Sequence, residues 1–441
     1  MEISLPFLMF LVLFIAILIG FPVAFTLGGV ALIFGLLFLG QDFFLLLPLR
    51  IFGTMQNYVL MAVPLFIYMG IMLEKSGLAE SMLETMAKLF GKYPGGLAIS
   101  VVIVGTLLAA STGIVGATVI TMGLISLPTM LKRGYSPELA TGTVASSGTL
   151  GQIIPPSIVL VLLGSVLNVS VGDLFAAAIL PGFLLVFLYI IYILGFSYTY
   201  PQKAPSMPEE ERFSQFGRKE FLQTLWVFIL PLLLILAVLG SIFAGIASPT
   251  EAAAVGAIGA TLLTLGNTSS DRKVNLAMFQ AVMRETTHLT SMVFIILIGA
   301  TAFSLVFRGL EGDRQLVALI TQSQLSPELF LLIVMVAVFI AGFFIDFIEI
   351  IFIFVPVVAP IFQKLGIDLV WVGILLALNL QTSFLSPPFG FSLFYLKGVA
   401  PPEIKTVHLY KGIVPFIIIQ VIVLALVILF PDLVRVFLGE K

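Results

Sequence analysis

Hydrophobic and polar positions fall in blocks along this chain: long apolar runs are separated by short polar ones, and several runs reach the roughly 20 residues that a helix needs to cross a bilayer. In the first half the pattern predicts spans near 3–20, 22–39, 58–74 and 173–197, with an interrupted one over 139–168. The interruption is SSGTLGQIIPPS, Ser146 to Ser157, which puts hydroxyls, glycines, a glutamine and a double proline inside an apolar segment. Lipid offers no hydrogen bonds to loose backbone groups, so such a break persists only where protein covers it or where it lines a polar cavity. Residues 96–131 are a different object. Two apolar arms of about 15 residues meet at the small, polar run Ala110 to Gly116, and a re-entrant helical hairpin fits better than two full spans.

The second half repeats the arrangement. Spans are expected near 223–243, 249–266, 288–307 and 411–430, an interrupted one over 369–396, and a hairpin over 328–363. Its break is NLQTSFLSPPFG, Asn379 to Gly390, whose Pro387 and Pro388 follow Pro155 and Pro156 by 232 residues. At that same offset of 232, Pro128 matches Pro360, Lys132 matches Lys364, Gly134 matches Gly366 and Ala145 matches Ala377. Inside the breaks Ser147 pairs with Asn379 and Thr149 with Gln381 as polar positions. A weaker match at offset 227, Pro22 with Pro249 and Gly29 with Gly256, extends the duplication towards the start of each half. Two broken segments at corresponding places in two halves are the sequence pointer to a carrier's binding site. The division expected is a first repeat over 1–200, a linker over 201–222 whose Glu209–Glu211 run is a solvated face, and a second repeat over 223–441. Residues 41–56 and 271–287 correspond as interfacial or amphipathic arms.

Composition narrows the class. Hydrophobic residues make up 60% and charged residues 10% of 441 positions, which excludes a soluble protein. A net charge of -2 leaves no basic surface for nucleic acid, and the absence of cysteine excludes thiolate metal sites and cysteine nucleophiles. His288 and His408 stand far apart without carboxylates around them, so they read as interfacial. No phosphate-binding glycine loop is present, and active transport must draw on an ion gradient or another subunit. The first segment lacks a basic n-region and a cleavage site and reads as a retained span. Placing 15 of the 21 Lys and Arg residues in cytoplasmic loops puts both termini on the outer side. Five spans per half then invert the second repeat relative to the first. The expected fold is an all-α polytopic membrane protein of two inverted repeats, each with one broken span and one re-entrant hairpin.

Candidate chemistry concentrates in the breaks and tips. Half-helix N-termini after Gly151 and after Ser386 would point positive dipole ends at an anion. Unwound carbonyls with Ser147, Thr149, Asn379, Thr382 and Ser383 offer oxygens to a hard cation such as sodium. Ser111 and Thr112 before Gly113 supply oxygens at the first tip, or pack neutrally between helices. Asp346, at the second tip, either binds a cation or caps the following helix, and Glu349 completes such a cap. Ser248, Pro249 and Glu251 read as a helix start, with Glu251 structural. Arg308 sits at a span end and reads as a snorkelling side chain.

The stretches GIASPTEAAAVGA (245–257), LPTMLKRGYSPELATG (127–142), GTLGQIIPPSIVLVLLG (148–164) and APIFQKLGIDLVWVGILLALNLQTSFLSPPFGFSLF (359–394) resemble the large, DctM-like membrane subunit of tripartite ATP-independent periplasmic (TRAP) transporters. The resemblance spans nearly the whole chain. It implies a sodium-coupled importer of an organic acid in the bacterial inner membrane, working with a small membrane subunit and a periplasmic substrate-binding protein. It also implies an elevator, with a transport domain of about 93–168 plus 328–397 moving against the remaining scaffold. Carried over, Ser111 with Ser147 and Thr149 falls in one sodium region, and Gly342 and Asp346 with Asn379, Thr382 and Ser383 in another. The organic anion would lie between them, against Ser111, Thr112, Gly113, Gly151, Gln152 and the Pro155-Pro156 pair on one side. On the other side it would meet Thr382, Ser386, Pro387 and Pro388. No cofactor beyond sodium is implied. The first tip reads Ser-Thr-Gly where the family often has Ser-Gly-Ser, and neither tip nor break contains an arginine to hold a carboxylate. A stand-alone sodium/dicarboxylate symporter of similar hairpin architecture is the alternative; an intramembrane enzyme lacks a catalytic constellation.

Overall fold

The computed structural model describes residues 4–209, 218–266, 275–322 and 326–438, and every regular element among them is helical. Residues 210–217 of the expected linker, with Glu210 and Glu211, and residues 271–274 of the second arm lie outside the described residues. The first half comprises α1 (Leu5–Ile19), α2 (Val23–Phe38), α3 (Leu46–Met55), α4 (Ala62–Lys75), α5 (Leu78–Phe90), the hairpin α6 (Gly96–Thr112) and α7 (Val115–Lys132), the broken pair α8 (Pro137–Thr149) and α9 (Ile158–Leu167), and α10 (Val171–Thr199). The second half runs α11 (Arg218–Phe243), α12 (Pro249–Gly266), α13 (Leu276–Gly309), α14 (Gly312–Gln322), the hairpin α15 (Pro327–Ala341) and α16 (Phe347–Lys364), the broken pair α17 (Leu369–Leu385) and α18 (Phe391–Val399), and α19 (Thr406–Leu429). The helix pairs α6–α7 and α15–α16 and the interrupted pairs α8–α9 and α17–α18 thus cover 96–132, 327–364, 137–167 and 369–399.

The duplicated residues explain where these elements stop. Gly134 and Gly366 follow α7 and α16 with φ of +82° and +70°. Beyond each glycine the next N–H reaches back to the last helical turn, Tyr135 to Met130 O at 3.1 Å and Ile367 to Phe362 O at 3.0 Å. This is the left-handed glycine cap that satisfies otherwise orphaned carbonyls. The following helices start on side-chain caps: Ser136 Oγ accepts from Leu139 N at 3.3 Å ahead of Pro137, and Asp368 Oδ1 accepts from Val370 N at 2.9 Å. Ser248 and Glu251 likewise exchange hydrogen bonds at the start of α12, Ser248 N to Glu251 Oε2 at 2.8 Å and Glu251 N to Ser248 Oγ at 3.3 Å.

Two features depart from expectation. Residues 276–287 are not a separate arm but the first part of α13, one helix of 34 residues, or about 51 Å. Its counterparts α3 and α4 are separate because Asn57 caps a new turn, accepting from Val59 N at 3.1 Å, whereas α13 has no such residue where arm and span join. The short amphipathic helices α5 and α14, each following a span of its half, were not foreseen from apolar run length.

Contacts between the halves come in reciprocal pairs. α2 packs on α13, while α12, the counterpart of α2, packs on α4; likewise α7 packs on α18 and α16 on α9. Small residues permit this closeness. A β-carbon on Gly299 of α13 would lie 2.5 Å from Ala24 O, and one on Gly256 of α12 would lie 2.7 Å from Met69 Sδ. α8 is buried from Leu139 through Thr149 and α17 from Val372 through Leu385, so the two broken helices form the centre of the molecule. α8 touches α19 backbone to backbone: a β-carbon on Gly412 would meet Glu138 O at 2.1 Å, and one on Gly142 would meet Gly412 O at 2.2 Å. Gly412→Leu is therefore expected to cost about 1–3 kcal/mol through overpacking. Thermal unfolding in detergent should show a lowered midpoint for it, and little change for Gly195→Leu, whose position has open space around it.

Candidate functional site

Each break is covered by the hairpin of its own half. In the first half a β-carbon on Gly151 would lie 2.2 Å from Ala109 O, and one on Gly113 (φ +62°) 2.7 Å from Ile158 Cγ1. On Gly105 it would lie 2.7 Å from Ser147 Oγ, so glycine and small residues let α6 lie directly against the break. In the second half a β-carbon on Gly342 would lie 2.1 Å from Ser383 Oγ, and Asn379 Nδ2 donates to Met335 O at 2.7 Å. The rings of Phe347 and Phe384 are 6.2 Å apart, and those of Phe344 and Phe389 5.2 Å. The breaks also meet one another. Gln381 Nε2 reaches Thr149 Oγ1 at 3.5 Å, and Ser392 Oγ donates to Ala145 O at 3.0 Å. Thr149 and Gln381 are themselves a repeat pair, 232 residues apart.

The hydroxyl protons are already committed. Ser111 Oγ donates to Leu108 O at 2.8 Å, Ser147 to Val144 O at 3.0 Å and Thr149 to Ser146 O at 2.9 Å. Thr382 donates to Leu378 O, Ser383 to Leu380 O and Ser386 to Thr382 O, each at 2.8 Å. A hydroxyl has one proton and two lone pairs, so a side chain bonded back to its own helix offers only acceptor oxygens to anything else. All six are buried. Such a set suits a hard cation and offers an anion nothing. Thr112 differs, sharing its hydroxyl with Thr118 at 2.7 Å.

Asp346 takes the capping geometry. Its Oδ1 accepts from Phe347 N at 2.7 Å, while Glu349 Oε2 accepts from Asp346 N at 3.2 Å, a reciprocal box at the start of α16. Among the described residues no group of three or more His, Cys, Asp or Glu could hold a metal ion. Gln152 is fully buried and neither end of its amide has a partner; Gln381 Oε1 is also unpaired. A buried, unsatisfied amide at a break is the strongest local demand for a bound polar species.

The half-helix starts lie further along than expected. α8 runs on through a 3-10 turn over Leu150–Gln152, so Gly151 and Gln152 sit at its C-terminal end; α9 begins only at Ile158 and α18 at Phe391, behind Gly390 with φ of +42°. Proline disfavours helix in the residue before it, and therefore neither second half-helix can start until its proline pair has passed. Pro155-Pro156 and Pro387-Pro388 are both cis. The second pair is pinned from α19, where Tyr410 Oη donates to Pro388 O at 2.8 Å.

Residues 10–433 match the family described as tripartite ATP-independent periplasmic transporter, DctM component. The chain belongs to that family. It is 33% identical over 387 residues to the C4-dicarboxylate TRAP transporter large permease protein of Pseudomonas aeruginosa, covering 87% of both chains. It is also 30% identical to the ectoine TRAP transporter large permease protein of Halomonas elongata, covering 95% of each. The crystal structure of the Alcanivorax borkumensis YdaH transporter superposes with a TM-score of 0.65 over 97% of this chain and 99% of that one, at 16% identity, a likeness of fold. This DctM-family chain is thus a multi-pass transporter subunit and not an enzyme. The substrates named for its relatives differ, so the family alone does not fix its cargo.

Sequence reasoning missed the groups that brace this site from outside. A β-carbon on Gly70 of α4 would lie 2.3 Å from Thr112 Cα and 2.6 Å from Ser111 O, so the first tip rests directly on α4. Glu74, one turn on, accepts from Thr121 Oγ1 of α7 at 2.5 Å. Only the three-dimensional arrangement joins these positions; a glycine in a span carries no signal of its own. Gly70→Ala should displace the tip, since both neighbours are backbone. Uptake into vesicles is expected to fall at least about tenfold, some 1.4 kcal/mol, with the protein still monodisperse; unchanged uptake would show that the tip's position is not critical.

Proposed function

We propose that this chain is the permease through which an organic anion enters the bacterial cell across the inner membrane together with sodium ions. The cargo is delivered by a periplasmic substrate-binding protein, and the chain works beside a small membrane subunit. The acceptor-only hydroxyls of the two breaks and the first tip carry this reading. Six buried oxygens with protons turned inward, beside unwound carbonyls, make an environment for alkali ions. Ser111, Ser147 and Thr149 with the first tip form one sodium region; Gly342, Asn379, Thr382 and Ser383 with the second tip form the other. The anion lies between, where the unpaired Gln152 amide offers N–H donors.

The reciprocal packing supports a two-fold relation between the halves, because a contact between equivalent positions such as Thr149 and Gln381 recurs only on a two-fold axis. With an odd number of crossings per half that axis lies in the membrane plane, so the repeats are inverted and the hairpins enter from opposite faces, both termini being periplasmic. The buried first tip fits a re-entrant hairpin, Ser111 and Thr112 each being 2% exposed. In the elevator reading α1–α4 and α11–α13 are the scaffold. α10 and α19, assigned to the scaffold from sequence, travel with the hairpins and broken helices, since they pack on α8, α9 and α17. α5 and α14 are the connectors.

Uptake into proteoliposomes is expected to need an inward sodium gradient, the small subunit and the binding protein; equal uptake without sodium would refute the coupling. Asp346→Asn keeps an acceptor for the cap and removes the charge. If the carboxylate also binds sodium, Asp346→Asn will shift the sodium dependence upward severalfold, whereas a cap alone predicts a wild-type curve for Asn and a fall of about 1 kcal/mol in stability for Ala. The chain has no cysteine, so Glu74→Cys with Thr121→Cys creates a unique pair across scaffold and hairpin. Bridging that pair with a bis-methanethiosulfonate reagent should arrest an elevator until a reductant cleaves the bridge; full uptake with the bridge formed would exclude it.

A further inference from the structure

The tips and breaks contain no fixed cation, yet two arginines converge elsewhere. A cavity of about 380 Å³ opens between α3, α13, α9 and α16. Arg50 of α3 and Arg308 of α13 both line it, together with the hydroxyls of Thr54, Thr301 and Ser304. Its inner wall is Val166 at the end of α9 with Phe352 and Pro356 of α16. Thr54 and Thr301 approach one another at 3.4 Å and close the polar side. Asp313 lies 3.6 Å from Arg308 Nε, while no carboxylate of the described residues lies within ion-pair distance of Arg50. The cavity therefore carries a net positive charge.

We propose that this cavity is a second anion site, a carboxylate-binding vestibule on the periplasmic side through which the organic acid passes before it reaches the breaks. The inference rests on the transport reading above, and supplies the fixed cations that the breaks lack. Guanidinium groups grip carboxylate through paired N–H donors, and a volume near the lower range of ligand pockets suits a small organic acid. A purely lipid-facing arginine pair would explain the charge. It would not explain the hydroxyls, nor an inner wall made by the two elements that also abut the breaks.

The test is modification of the full chain by phenylglyoxal in phosphatidylcholine nanodiscs, read by peptide mass mapping. Succinate is expected to slow labelling of Arg50 and Arg308 severalfold where butanediol does not, and no protection by succinate overturns the site. Protection by phosphatidylglycerol in the bilayer, with succinate adding nothing, also overturns it and assigns the arginines to lipid headgroups. In the reconstituted transporter, Arg50→Gln and Arg308→Gln should raise the half-saturating succinate concentration severalfold at nearly unchanged maximal rate, with Arg50→Lys intermediate. A lowered maximal rate at unchanged half-saturation would contradict an entry site. Uptake that ignores sodium while succinate still protects both arginines would sink the coupling reading and leave the vestibule standing.

Discussion

Everything here depends on one constraint: a helix broken inside a bilayer leaves backbone groups that lipid cannot satisfy, at several kcal/mol each. The molecule answers by laying a hairpin over each break so closely that glycine is required at the contacts, Gly105 and Gly151 in one half and Gly342 in the other. The second arms then cross over, α7 onto α18 and α16 onto α9, so that each half-helix beyond a break is supported by the opposite repeat. Neither half is structurally complete alone. The breaks are consequently buried yet polar, the combination that permits a site without exposing backbone to lipid.

The sign of the ligand follows from where the protons go. A serine or threonine in a helix can bond back to the preceding turn, and six site hydroxyls do so. This costs the site its donors and leaves oxygens. The same local habit that makes these residues tolerable in a buried helix thus biases the centre towards cations. Donors for an anion are scarce and identifiable: the free Gln152 amide, and the arginines outside the breaks.

Much of this was legible in the sequence, for physical reasons that can be named. The hairpins and broken helices announce themselves because polar and proline residues inside apolar runs are costly, and the duplication marks the same cost twice. Gly134 and Gly366, matched at the offset of 232, end their helices by conformation alone. The half-helix starts lie beyond the expected Gly151 and Ser386 because the prolines, not the polar residues, set the boundary. The continuity of α13 was missed because charge suggested an interfacial arm, while no residue there breaks a helix. Gly70 against the first tip, and Arg50 beside Arg308, join elements far apart in sequence, and no local pattern encodes such a meeting.

Charge also gives a reason for the sodium coupling proposed above. A carboxylate moved through the membrane alone pays desolvation, which sodium ions bound beside it offset by neutralising the pair. In the proposed elevator, a fixed arginine in the breaks would do the same on the inward stroke but would have to return, still charged and unpaired, on the next. Each elementary charge carried across the potential costs about 2.3 kcal/mol per 100 mV. With Arg50 on α3 and Arg308 on α13, the breaks and tips themselves hold no arginine or lysine, while Asp346 keeps its carboxylate within the cap at the start of α16. On the proposed reading, dissociable cations at the breaks and immobile ones outside them serve two steps, release and capture, and their separation in space allows both to be satisfied by one chain.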